Sequence, residues 1–353
     1  MHWTPLALST PTRAYVFGGT RIADRFGRTD HGRERLAETW EVSDVDGSIG
    51  EIVDGPFAGQ SLREVTLAHP DEIVGAGWRG AHFPILTKFL DASHLLPVHL
   101  HADDEVARRL EAAPHGKTEA WHILDAAPGA SALVGTKPGV DAATLREALL
   151  RQDFDAVMRR LPIRAGETIY VPGGTLHTFG PDTLIYEIQQ TSDIGQHAMT
   201  WRLDGSTIPP DERAQNIDAL IAQWRPDPRP LPRLPLQFAV GPDADRAICC
   251  AGLYFALERW RVGAGARLTH AFDTALILSN VGTPATIHAG ETRELAMGRS
   301  LLLPAAIGEV SVEGPADVLV GYLPKLERDI REPLRRAGFG EAAIAGLGDV
   351  GGA

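Results

Sequence analysis

Apolar and polar positions along this chain form short runs broken by turns, a pattern that predicts a mainly β protein. AETWEVSDVDGS places Trp40, Val42 and Val45 ahead of a polar turn, and DGPFAG punctuates the path before a short SLREV segment. AHFPILTKFLDA and LLPVHLH are β-compatible runs, and Pro84 and Pro97 within them favour extended backbone over one uninterrupted helix. GLYFALERWRV, HAFDTALILSNVG and RSLLLPA continue the strand-and-turn pattern later in the chain.

Helical periodicity breaks in at three places. DEVARRLEAA starts at Asp104 and stops before Pro114, and DAATLREALLRQDFDAVMRRL sets Leu145, Leu149 and Leu150 on one face behind an acidic start at Asp141. The second of these reads as a helical insertion within a β-domain. DERAQNIDALIAQW, Asp211 to Trp224, predicts a third helix, and the DPRPLPRLP that follows reads as a linker. After Pro324, DIREPLRRAGF predicts short helices and GLGDVGGA a fraying end.

One stretch is reused. GETIYVPGGTLH runs from Gly166 to Pro172 over the same interval as Gly298 to Pro304 in GRSLLLPAAIGE. The later copy has Ala306 and Glu309 where the first has Gly174 and His177, so it keeps a strand-turn frame and loses most of the ligand chemistry.

Composition narrows the function classes. A formal charge of -12 repels nucleic acid and anionic membranes, although a bound cation and a few lysines could still attract an anionic substrate locally. Cys249 and Cys250 are adjacent, cannot staple distant segments and lack a thiolate ligand pattern, so a reducing cytoplasm is expected. No long apolar span is present, and His2, Trp3, Pro5 and Pro11 precede any apolar run, which argues against a secretory leader.

The candidate chemistry lies in three segments. In VHLHADDE, His99 and His101 are two apart, so on a strand their imidazoles share one face and suit zinc, iron or nickel. In GKTEAWHIL, Glu119 offers an oxygen ligand; Trp121 and Ile123 share its face while His122 points away and is excluded from the ligand set. In GETIYVPGGTLHTF, a β-run ends at Pro172, the paired glycines permit a close backbone path, and a turn can aim His177 inward.

These segments, with AYVFGGTRIADRFG, LAETWEVSD, FPILTKFLDA and LIYEIQQTSD, resemble the type I mannose-6-phosphate isomerases, zinc enzymes built on cupin jelly-roll domains. The resemblance implies two jelly rolls: residues 1–135 with 161–205 as the catalytic domain, 136–160 as its helical insertion, 206–235 as helix and linker, 236–325 as a degenerate second domain, and 326–353 as a flexible or helical tail. It implies metal ligation by His99, His101, Glu119 and His177, His99 standing where the family has glutamine, with Zn2+ expected and Fe2+ or Ni2+ as alternatives.

Glu187 in LIYEIQQ is then the acid/base candidate for aldose-ketose isomerisation through an enediolate, and Lys117 in GKTE a catalytic and substrate contact. Glu41 and Arg202 are further substrate candidates. His197 occupies the family's arginine position and is assigned proton transfer or polarisation, and Pro97 replaces a family serine. The expected partner is a small sugar or sugar phosphate, mannose 6-phosphate or a related sugar with or without a phosphate, with no nucleic acid and no membrane; the oligomeric state is left open, a monomer being compatible with the sequence. A metal-dependent cupin oxygenase and a nonenzymatic carbohydrate-binding protein are the alternatives.

Overall fold

The structure is a computed structural model that describes residues 2–28 and 35–351. It is mainly β, with two pairs of antiparallel sheets forming two jelly rolls. In the first, strands Thr12–Arg13, Glu38–Val42, Ile85–Ala92, Thr183–Gln190, Glu119–Ala126 and Thr168–Val171 pair in that order. They face a five-stranded sheet ordered Gln196–His197, His99–Leu100, His177–Phe179, Ser131–Thr136, Met158–Pro162. The second repeats the six-stranded order with Leu236–Gly241, Ala244–Ala251, Ala256–Val262, Ala316–Tyr322, Leu276–Asn280 and Ser300–Leu303.

The repeat read from the sequence has a structural counterpart here. Thr168–Val171 and Ser300–Leu303 close the equivalent edge of the two six-stranded sheets. Each is preceded by a positive-φ glycine, Gly166 or Gly298, and followed by a proline that ends the strand.

The central strands of the first six-stranded sheet are buried along nearly their whole length because both faces are covered. Along Thr183–Gln190, Leu184, Tyr186 and Ile188 point outward into a core shared with Cys249, Leu257, Ile277 and Leu319 of the second jelly roll. Ile185 and Glu187 point the other way, into the first jelly roll. Contact between the sheets is close at Gly321, where a Cβ would come within 2.8 Å of Ile188 Cδ1. Strict alternation therefore sends Glu187 inward, because its neighbours are needed outside.

The same rule places His99 and His101. Val98 and Leu100 turn to a cluster with Leu145 and Leu149 of helix Ala142–Arg151 and Ile217 and Leu220 of helix Pro210–Gln223. The imidazoles on the opposite face then look into the barrel. Asp141 caps the first of these helices by accepting from the Thr144 N–H.

Two local expectations are corrected. SLREV is helical: Leu62–Ala68 starts at a capping box in which Ser61 and Glu64 exchange hydrogen bonds, followed by a short helix Pro70–Ile73. The expected fraying end is corrected over residues 346–351, where Leu347 and Val350 are buried in the second core with Ile330, Leu334 and Ile344; Gly352 and Ala353 lie outside the described residues. Burial of those apolar side chains outweighs the entropy of the surrounding glycines.

The interior of the second jelly roll is held by an ion pair. Arg246 donates to both oxygens of Glu258 at 2.6 and 2.8 Å, and Trp260 Nε1 and Tyr322 Oη donate to the same carboxylate at 2.7 and 2.6 Å. Glu258 is wholly buried. Glu258→Ala is expected to lower stability by about 3–5 kcal/mol in urea unfolding, because it strands a largely buried guanidinium.

Candidate metal centre

Strand His99–Leu100 lies between Gln196–His197 and His177–Phe179, so His99 is paired in register with both His177 and His197. Glu119 begins the strand Glu119–Ala126 in the opposing sheet. Ligand atoms of His99, His101, Glu119 and His177 all lie within 4.8 Å of one another, and this is the one such group of three or more His, Cys, Asp or Glu among the described residues.

Each imidazole is oriented the same way. The Nδ1–H of His99 donates to the Pro97 carbonyl (2.7 Å), that of His101 to Ile194 (2.8 Å) and that of His177 to Thr175 (2.8 Å). A carbonyl can only accept, so the proton resides on Nδ1 and each Nε2 presents a lone pair to the centre. His99 Nε2 and His177 Nε2 are consequently two acceptors 3.0 Å apart. His101 Nε2 is buried with no hydrogen-bond partner, and the Glu119 carboxylate stands 3.3 Å from it and 3.1 Å from His177 Nε2. Converging lone pairs and a carboxylate repel unless a cation lies among them, so this donor set fits a divalent metal.

The electrostatics agree with that geometry. Burial, then the neighbouring His177 and His101, holds His99 well below the ordinary histidine range, and burial with Lys117 brings His101 down to about 4. Both imidazoles are therefore neutral and ready to ligate at neutral pH. Burial alone would raise the Glu119 carboxyl, but the Lys117 ammonium 2.9 Å away outweighs it and holds the carboxyl well below the carboxylate range. Trp121 Nε1 fixes that carboxylate by donating to Oε1 at 2.8 Å. His122, on the other face, bonds to Thr168 Oγ1 instead.

The two ligand loops are held together by glycines and by an arginine absent from the sequence reading. A Cβ on Gly173 would meet Asp103 Cα at 2.7 Å, and Gly174 at φ 86° donates its N–H to the His101 carbonyl at 2.6 Å. Arg225, at the start of the proline-rich segment, donates its own N–H to the Gly174 carbonyl (2.9 Å) and ion-pairs with Asp103 at 2.6 Å. It ties the loop carrying His101 to the loop carrying His177. Arg225→Ala is expected to weaken metal retention roughly tenfold in a chelator competition, the usual scale for groups that orient ligands.

A cavity of about 180 Å³ opens beside the cluster and is lined by His99, His101, Lys117 and His197 together with Glu38 and Lys88. Glu187 lies behind it, wholly buried, with Oε1 3.4 Å from Lys88 Nζ and 3.9 Å from Lys117 Nζ. Lys117 also reaches Glu119 at 2.9 Å, so one ammonium joins the metal cluster to the acid/base candidate. Burial raises the Glu187 carboxyl and the negative Glu119 adds to it, against the pull of Lys88 and Lys117. Lys88 keeps its charge because Glu38 and Glu187 outweigh its burial.

The remaining candidates divide. His197 lines the cavity with its Nδ1 buried and unbonded, and burial, then the charge of Arg202, lowers its pKa. Arg202 itself does not line that cavity: its guanidinium donates to both oxygens of Glu212 at 2.7 Å and to the Thr207 carbonyl. Glu41 is also displaced from its expected place. It is on the opposite face of its strand, ion-paired to Arg28 at 2.5 Å, and Glu38 takes the pocket position. Parity decides this, since Glu38 and Trp40 share the inner face.

A signal for Glu38 was present in the sequence. ETW, EAW and ERW recur at Glu38, Glu119 and Glu258, and in each the tryptophan Nε1 donates to the glutamate two residues earlier, at 2.7, 2.8 and 2.7 Å. Glu-x-Trp on a buried strand marks an inward carboxylate whose orientation is fixed.

A family model described as the cupin domain of mannose-6-phosphate isomerase matches residues 250–323. Over 319 residues the chain is 30% identical to the probable mannose-6-phosphate isomerase GmuF of Bacillus subtilis (strain 168), covering 90% of this chain and 99% of that one. The crystal structure of the mannose 6-phosphate isomerase from Bacillus subtilis is similar with a TM-score of 0.80 at 25% identity, covering 90% of this chain and 99% of that one. A zinc-bound structure of a mannose 6-phosphate isomerase shares the fold with a TM-score of 0.72 at 15% identity, over 90% and 99% of the two chains.

Proposed function

This chain belongs to the mannose-6-phosphate isomerase family, and on that premise we propose that it is a zinc-dependent aldose-ketose isomerase acting on mannose 6-phosphate and fructose 6-phosphate or on a related sugar, phosphorylated or not. His99, His101, Glu119 and His177 would hold the metal. A donor set of three imidazoles and one carboxylate suits zinc first, with Fe2+ and Ni2+ as alternatives. When bound, the metal would supply positive charge to sugar oxygens at the reacting carbons.

Glu187 supports this reading most. It is a buried carboxyl with a raised pKa that shares Lys117 with the metal cluster. In isomerisation its carboxylate takes the proton from the carbon next to the carbonyl and returns it to the neighbouring carbon. Lys117 faces the negative charge that develops on oxygen between these transfers, and Lys88 holds Glu187 in place from the other side. His197, which lines the cavity, would polarise a sugar hydroxyl.

No helix among the described residues is long and apolar enough to cross a membrane. Cys249 and Cys250 are free and buried, in keeping with a reducing cytoplasm. The reading is tested by stripping the metal, restoring zinc, iron or nickel singly, and following solvent deuterium into phosphorylated and unphosphorylated aldoses and ketoses. Exchange at the carbon beside the carbonyl, lost with the metal and recovered with zinc, is expected. Absence of exchange with the whole panel at full metal content would remove the isomerase reading.

A further inference from the structure

Among the described residues that line the cavity, Lys88 and Lys117 are its only permanent cations. Both are engaged: Lys88 with Glu38 at 3.6 Å and Glu187 at 3.4 Å, Lys117 with Glu119 at 2.9 Å and Glu187 at 3.9 Å. Asp193 adds another carboxylate to the lining. A divalent metal would balance these charges without leaving an excess of positive charge for a further anion.

Much of the remaining lining is apolar. Tyr15, Phe17, Leu96, Pro97 and Leu203 form an apolar border, with the Tyr15 and Phe17 rings 5.6 Å apart. Pro97 has neither a hydroxyl nor a backbone N–H to offer a phosphate. Arg202, close in sequence, is committed to Glu212 and the Thr207 carbonyl. Burial raises the Tyr15 phenol most, and Glu38 and Asp193 raise it further against the pull of Arg13 and Lys88, so it is chiefly burial that disfavours a negative charge at this position.

Resting on the isomerase reading above, we propose that this cavity selects an uncharged sugar, a pentose, hexose or 6-deoxyhexose, over the corresponding sugar phosphate. The apolar border packs against the carbon-hydrogen face of the sugar away from the reacting carbons, as aromatic and aliphatic side chains do with such surfaces. A phosphate there would have to draw a lysine off its buried carboxylates, and that penalty falls on the phosphorylated substrate alone.

The test uses the full chain restored with zinc. Deuterium exchange and kcat/KM are measured on a panel of neutral pentoses, hexoses and 6-deoxyhexoses and on the terminal phosphates of the pentoses and hexoses. The best neutral sugar is expected to exceed its own phosphate ester by roughly tenfold or more in kcat/KM. Leu203→Arg, which adds a cation at the border, is expected to shrink that ratio. A phosphate ester turned over more efficiently than its parent sugar overturns the substrate class and leaves the isomerase reading standing. Exchange into no sugar, phosphorylated or not, by protein carrying full zinc overturns both.

Discussion

Glu187→Gln should lower kcat for isomerisation by roughly 10²–10⁴-fold, the range by which a positioned acid/base group contributes, while zinc content stays unchanged. The amide keeps the size and the strand position of the carboxylate but cannot take a proton. Lys88 retains Glu38 and Lys117 retains Glu119, so neither ammonium is stranded and the fold should tolerate the change. Solvent deuterium exchange isolates the proton-transfer step and metal analysis reports the ligands separately. A variant with wild-type exchange would take Glu187 out of the acid/base role. Its raised pKa also has a direction to check. Below that pKa the carboxyl is protonated and cannot act as a base, so activity should fall on acidification at a pH above the ordinary glutamate range, and Glu187→Gln should abolish that limb.

His177→Ala should cost the protein its metal, and with it nearly all activity. The change removes one Nε2 from the converging set and also the partner 3.0 Å from His99. It leaves His99, His101 and Glu119, a poorer set for zinc. Dialysed protein should carry well below stoichiometric zinc, and turnover should fall by at least about 10³-fold, since the metal and the residues it organises act as a unit. Full zinc occupancy in this variant would remove His177 from the ligand set.

Acid should act on the metal-free protein through the neighbouring imidazoles. The folded pKa of His101 is about 4 and that of His99 is also depressed below the unfolded value near 6.5, so the unfolded chain binds more protons between those limits. Stability from this source is complete above about pH 6.5 and is lost as pH falls toward 4. Thermal unfolding of metal-free protein across that window should show the decline, and bound zinc should blunt it by favouring the folded state.

Much of the site is legible in the linear chain because strand geometry is periodic. A spacing of two puts His99 and His101 on one face, Glu119 with Trp121 on another, and a proline followed by paired glycines before His177 announces a turn with close backbone contact. The reuse of Gly-to-Pro spacing likewise indicates a second jelly roll, and the equivalent sheet edges agree. Short-range patterns misled where parity or local capping decided the outcome. Glu41 and Glu38 differ only in which face they occupy, and the Ser61–Glu64 capping box made a helix where turns and strands were expected.

The sequence by itself therefore determined the mainly β character, the repeated frame and the residue types that converge on a metal, because each depends on local periodicity and donor chemistry. Only the tertiary structure decided which carboxylates share Lys88 and Lys117, that Arg202 turns away to Glu212, that Arg225 clamps the two ligand loops, and that the tail's Leu347 and Val350 are covered. Those outcomes depend on distances between segments far apart in the chain. Burial and Coulomb attraction act through space, and no spacing along a strand reports them.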